Sequence, residues 1–147
     1  MPSRAPGTAG VGLILDSSVV IAAERLGQTA YQMLEDIGLQ GNDPEIAVSV
    51  VTVLELAHGI TRADTPQRRV RRQQFFDDLL VGMPIHPVTV PIALRAGQID
   101  GQMQAAGTRI ALADLLIGVT ALELGHHVAT ANTRHFQMIP GLVAIQI

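Results

Sequence analysis

The chain has 147 residues, 48% hydrophobic and 16% charged, which suits one globular domain with a sizeable core and not a disordered segment. It has no Cys, which excludes disulfides, zinc–thiolate sites and thiol catalysis, and at 3% aromatic with no Trp its core must be aliphatic. The formal net charge of −3 argues against non-specific nucleic-acid binding by the whole surface, and no apolar run reaches the ~18 residues of a membrane span.

Met1 to Gly10 carry one Arg and no apolar h-region, so they read as a loose N-terminal extension and not a signal peptide. A cytoplasmic protein with a single domain over residues 11–147 is expected. Val11–Leu15 is a short apolar strand, and Asp16 opens a helix running to about Gly27. Thr29–Gly38 is a second helix, Asn42-Asp43-Pro44 a turn, and Glu45–Val50 a second strand. Ser49 to Thr52 offer caps for a helix reaching about Arg62. Thr65-Pro66 caps the next, which carries four arginines and then Phe75, Phe76, Leu79 and Leu80. Ile85–Thr89 is a third strand, and Pro91 opens a helix ending near Gly107. Leu112–Leu124 is strongly helical and stopped by Gly125, with Leu112, Leu115, Leu116, Val119 and Leu122 as its core ladder. His127–Ala131 and Leu142–Ile147 are the last strands. Strands alternating with helices imply a mainly parallel sheet joined by right-handed crossovers, an α/β fold.

Three acidic residues stand in apolar surroundings. Asp16 ends the run Val11 to Leu15, Glu55 lies within Val50 to Ala57, and Asp114 lies within Ile110 to Ile117. Burying a carboxylate among aliphatic residues is costly unless it is paired or binds a metal. Taken singly, Asp16 could cap a helix, Asp114 could favour a helix N-terminus, and Glu55 could sit on an exposed helix face. Taken together they suggest elements delivering carboxylates to one place, outside the carboxyl ends of the strands. Such a cluster repels itself and needs a cation. Carboxylates without a His or Cys framework suit hard, oxygen-preferring Mg²⁺ or Mn²⁺. The matching chemistry is phosphodiester hydrolysis by activated water. No Gly-rich dinucleotide fingerprint, Gly-Lys-Ser/Thr phosphate loop or Gly-x-Ser-x-Gly elbow is present.

All ten basic residues are Arg, and five of them, Arg62, Arg68, Arg69, Arg71 and Arg72, fall in one short stretch. They form either a solvated helix face or a surface that holds RNA phosphates. Arg109 and Arg134 are weaker candidates of the same kind. His126 and His127 are adjacent on a strand and so face opposite sides, which makes joint ligation of one ion difficult.

Four blocks carry a family resemblance: Leu15-Asp16-Ser17-Ser18; Ser49 to Leu56 with Gly59; Ala113-Asp114-Leu115-Leu116-Ile117-Gly118; and Thr130 to Phe136 followed by Pro140-Gly141-Leu142. In order and spacing they resemble the PIN-domain ribonucleases, specifically the VapC-type toxins of bacterial toxin–antitoxin pairs. The resemblance implies a PIN-like three-layer fold with about five strands flanked by helices. It matches Asp16, Glu55 and Asp114 to the family's catalytic, metal-holding acids, with Ser18 and Thr130 as supporting hydroxyls. Asn132 and His135 occupy the two positions where a fourth acid is usual. Asn132 is then a weaker outer partner, and one metal, or a second recruited with the RNA phosphate, is expected. The resemblance further implies an Mg²⁺- or Mn²⁺-dependent endoribonuclease acting on tRNA or rRNA, a VapB-like antitoxin and a homodimer. The missing fourth acid keeps open a degenerate PIN domain that binds RNA or a partner without cutting. A metal-dependent DNA nuclease or phosphoesterase is the other alternative.

Overall fold

The computed structural model describes residues 11–40 and 44–147. The N-terminal extension and the Asn42-Asp43 part of the expected turn lie outside the described residues. The elements run β1 (Leu13–Leu15), α1 (Ser17–Arg25), α2 (Ala30–Gln40), β2 (Ile46–Ser49), α3 (Val50–Thr61), α4 (Pro66–Leu80), β3 (Ile85–His86), α5 (Val90–Ala105), α6 (Leu112–Leu124), β4 (His127–Thr130), a 3-10 turn (Phe136–Met138) and β5 (Ala144–Gln146).

The five strands form one sheet in the order β3-β2-β1-β4-β5, with every pairing parallel. Alternation along each strand divides the core in two. Leu13, Leu15, Val48 and Ala129 face one side, under residues of α1, α2, α3 and α4. Ile14, Ala47 and Val128 face the other, under α5, α6 and the 3-10 turn. The result is a three-layer α/β sandwich. Ile14, Ile117 and Val128 are fully buried, each contributing about 1.5–3 kcal/mol. The chain leaves β1 toward β2 on one side and later returns to β4 on the other. The order therefore reverses between β1 and β4, and this switch point is where open α/β sheets form their sites.

Local chemistry sets the helix starts. Ser49, Thr65 and Thr89 each accept a backbone N–H from the first turn of α3, α4 and α5. The expected elements form with shorter strands. β3 stops at His86 because Pro87 offers no donor to the ladder. The fifth strand is limited to Ala144–Gln146 at the sheet edge. Leu112, expected in the core ladder, is 69% exposed, since α6 begins its buried face only at Leu115.

Candidate active site at the sheet switch point

Asp16 follows β1 directly and is buried. It occupies the N-cap position of α1, yet its side chain makes no capping bond. Its Oδ2 accepts instead from the hydroxyls of Ser18, at 2.6 Å, and Thr130, at 3.0 Å. Its backbone N–H donates to the Ala129 carbonyl, so β4 holds Asp16 by main chain as well as side chain. Thr130 is fully buried, and its Oγ1 also accepts the Asn132 N–H. Ser18 Oγ in turn accepts the Ala131 N–H. Each hydroxyl has a single hydrogen. Thr130 Oγ1 also lies 3.1 Å from the Asn132 carbonyl, a weaker acceptor for that hydrogen than a carboxylate; with both hydrogens directed at Asp16, the 3.2 Å contact between Ser18 and Thr130 adds no further bond. The carboxylate is thus fixed before any ligand arrives.

Glu55 lies on α3, in its second turn, where Ser17 donates to its Oε1 at 3.2 Å. Thr52, on the same helix, donates to the Leu15 carbonyl and ties α3 to the end of β1. Partial burial pushes the Glu55 carboxyl above its ordinary value. The nearby charges of Asp16 and Asp114 add to the rise, and the Ser17 bond opposes it. Asp114 sits in the first turn of α6. Burial raises it also; the His135 hydrogen bond opposes that rise, the Asp16 charge adds to it, and the charge of His135 opposes it again. That bond joins His135 Nδ1 to Asp114 Oδ2 at 3.1 Å.

The three carboxylates, from three separate segments, are therefore close enough to repel one another. Among the described residues no Arg forms an ion pair with any of them, and no three ligating groups are drawn tightly enough to enclose an ion as they stand. Three carboxylates, flanked by hydroxyls, at one sheet edge are a donor set that fits a hard divalent cation.

Residues 13–142 match the model of the PIN domain family. The chain belongs to the PIN-domain family. Ribonuclease VapC10 of Mycobacterium tuberculosis is 34% identical over 130 residues, 88% of this chain and 90% of that protein. Ribonuclease VapC1 of Rickettsia felis is 25% identical over 137 residues, 93% of this chain and 97% of its own length. The crystal structure of VapBC2 from Rickettsia felis, bound to a DNA fragment from their promoter, superposes with a TM-score of 0.78 at 21% identity. It covers 92% of this chain and 98% of its own. FitAcB from Neisseria gonorrhoeae gives a TM-score of 0.68 at 26% identity, over 90% of this chain and 96% of its own.

Within this PIN domain, Asn132 is placed differently from the acids. Its Oδ1 accepts the Arg134 N–H at 3.1 Å, closing a local turn after β4. The imidazole of His135, three residues on, is the side chain that reaches a carboxylate. The arginines are dispersed. Arg68 pairs with Asp64, and both are exposed. Arg71 approaches Glu24 at 3.9 Å. Arg72 donates to the Gly59 carbonyl at 2.7 Å. Arg69 is exposed. Arg109 and Arg134 are also exposed, on the segments that lead into α6 and out of β4. Neither His126 nor His127 belongs to the site; the His126 ring lies against Gly12.

Two hydroxyls escaped sequence reasoning. Ser17 orients Glu55, and Thr52 anchors its helix. The run Asp16-Ser17-Ser18 was the available signal for Ser17. Thr52 had none, because its partner is a main-chain carbonyl 37 residues away. Beside Glu55, a groove of about 230 Å³ opens between α1, α3 and α4, lined by Val20, Ile21, Leu56, Phe75 and Phe76 with Arg72.

Proposed function

We propose that this chain is a VapC-type endoribonuclease, the toxin half of a type II toxin–antitoxin pair. It hydrolyses phosphodiester bonds of tRNA or rRNA with Mg²⁺ or Mn²⁺. The observation that carries this reading is the convergence of Asp16, Glu55 and Asp114 at the switch point of a PIN domain. Relatives called ribonuclease VapC, alignable over nearly the whole chain, support the substrate class. Relatives named tRNA(fMet)-specific endonuclease VapC favour tRNA within it.

In this reading Asp16, Glu55 and Asp114 hold the cation. When bound, it would supply an activated water and neutralise charge on the phosphoryl group. The chain's own contribution is placement. Ser18 and Thr130 lock the Asp16 carboxylate, so little side-chain freedom remains to be lost on binding. Ser17 orients the Glu55 carboxyl toward its neighbours. Asn132 supports the loop that carries His135 and Arg134. Arg109 and Arg134, exposed on the segments that lead into α6 and out of β4, would grip the RNA backbone. Arg68 and Arg69 add a more distant positive surface, and Arg72 holds α4 against α3.

A VapB-like antitoxin is the expected partner, because the structural relatives include toxin–antitoxin complexes. The active form is proposed to be a homodimer in the cytoplasm, with residues 11–147 as one domain. No helix among the described residues is long and apolar enough to cross a membrane.

The test is incubation of the protein, freed of any co-purified partner, with a total tRNA and rRNA pool and with a matched DNA strand. Discrete RNA fragments that need the cation and vanish with chelator support the proposal. Cation binding without fragments favours a non-cleaving binding domain, and equal cutting of DNA favours a general nuclease.

A further inference from the structure

The pairing of His135 with Asp114 is specified by the fold. Phe136, 2% exposed, fills the core beside α6. It packs within 3.5 Å of the point where Gly118 would carry a Cβ. Gly118 lies one helical turn after Asp114, on the same face. Anchoring Phe136 at Gly118 therefore presents the preceding residue to Asp114. Backbone bonds from Gln137 to Thr133 and from Met138 to His135 set the loop. The His135 side chain is 55% exposed, and the carboxylate of Asp114 is its polar contact among the described residues.

We propose that His135 joins the carboxylates as a nitrogen ligand of the divalent cation, and that this mixed donor set favours Mn²⁺ over Mg²⁺. The proposal rests on the cation-dependent reading of this site. Adjacent ligands on an octahedral ion with bonds of about 2.1 Å lie about 3 Å apart. The 3.1 Å between His135 Nδ1 and Asp114 Oδ2 matches that separation, so the two atoms can serve as neighbouring ligands once the imidazole turns its lone pair from the carboxylate to the cation. A carboxylate at position 135 would add a fourth negative charge to three that already repel. A neutral imidazole adds a donor without that cost. Mn²⁺ prefers oxygen as Mg²⁺ does, but as a transition-metal ion it accepts an imidazole nitrogen beside carboxylates more readily than Mg²⁺, which keeps to carboxylate, carbonyl and water oxygen. Asn132 Oδ1 already accepts the Arg134 N–H with one of its two lone pairs, whereas His135 Nδ1 is directed at a carboxylate.

The experiment titrates chelator-treated full-length protein calorimetrically with Mn²⁺ and with Mg²⁺, and records pulsed electron paramagnetic resonance of the Mn²⁺-loaded protein. The native chain should bind Mn²⁺ at least about ten-fold more tightly than Mg²⁺ and show nitrogen modulation on the Mn²⁺ signal. His135→Ala should abolish the modulation and weaken Mn²⁺ about ten-fold while leaving Mg²⁺ nearly unchanged. His135→Asp should collapse the preference by strengthening Mg²⁺. Because His135 is exposed and its ring contacts Asp114, both variants should fold, which circular dichroism verifies. Mn²⁺ bound without nitrogen modulation, or modulation that survives in His135→Ala, overturns the ligand role and leaves the cation reading intact. Tighter Mn²⁺ binding by His135→Ala also overturns it, since the imidazole would then be competing with the cation for Asp114. No binding of either ion overturns both.

Discussion

Replacing Thr130 by Val tests whether the hydroxyls beside Asp16 set the site. The substitution keeps the volume of a fully buried side chain and removes its oxygen. It deletes the 3.0 Å bond to a buried carboxylate, leaving Ser18 as the remaining hydroxyl donor to Oδ2. A hydrogen bond to a charged group is worth about 1.5–3 kcal/mol. The Asn132 N–H loses its acceptor as well, but Asn132 is exposed and water can take the place of Oγ1 at small cost. The expected loss is about 2 kcal/mol, or about 4–8 °C in Tm for a chain of this length. Urea denaturation of chelator-treated protein measures it. Cleavage should fall too, because Asp16 gains freedom it lacks in the native site. A double-mutant cycle with Asp16→Asn should show that most of the loss depends on the carboxylate. A loss below about 0.5 kcal/mol, or no coupling to Asp16, would refute the reasoning.

Three further outcomes follow from the same geometry. Glu55 and Asp114 are raised above their ordinary 4.5 and 3.8, so the stability they contribute is fully present below those values and lost as pH rises through the raised ones. In chelated protein Glu55→Gln should therefore gain on the native chain at about pH 8 and lose that gain near pH 4, as read from denaturation midpoints. Mn²⁺ at 100 times its Kd should stabilise the native chain by about 2.7 kcal/mol, and Asp114→Asn should shrink the accompanying rise in Tm. Gly118→Ala should place a methyl group 2.5 Å from Ile139 Cδ1 and 3.0 Å from Leu142 Cδ2. Overpacking of about 1–3 kcal/mol, offset by about 1 kcal/mol of helix propensity, leaves a net loss of about 1 kcal/mol and a displaced His135 loop. Denaturation and cleavage assays on one preparation check both effects.

Much of the architecture was legible because local signals agreed with it. Leu13, Ile14 and Leu15 serve both faces of one strand, so a continuous apolar run was the correct cue. Ser49 and Thr65 marked the starts of α3 and α4 through their capping chemistry, and Pro91 marked that of α5, whose cap, Thr89, was read as the end of a strand. Leu112 was misplaced because α6 is apolar on most of its surface. With Leu115, Leu116, Ile117 and Val119 close together, periodicity gives no single stripe. At the site, the carboxylates stood out because each interrupts an apolar run. Among their supports, Ser18 and Thr130 were named only through the family resemblance, since Thr130 reaches Asp16 across 114 residues, and Ser17 and Thr52 were not named at all. The Asn132 Oδ1 accepts a backbone N–H two residues on, a local turn bond that Asn favours after a strand.

The central claim is that Asp16, Glu55 and Asp114 act as one catalytic unit. Single-turnover cleavage of one RNA fragment by Asp16→Asn, Glu55→Gln, Asp114→Asn and the triple variant, at saturating Mn²⁺, tests it most directly. Residues acting as a unit are strongly non-additive, so each single variant should lose nearly as much rate as the triple. A single variant that cuts at close to the native rate, or losses that simply multiply, would contradict the account.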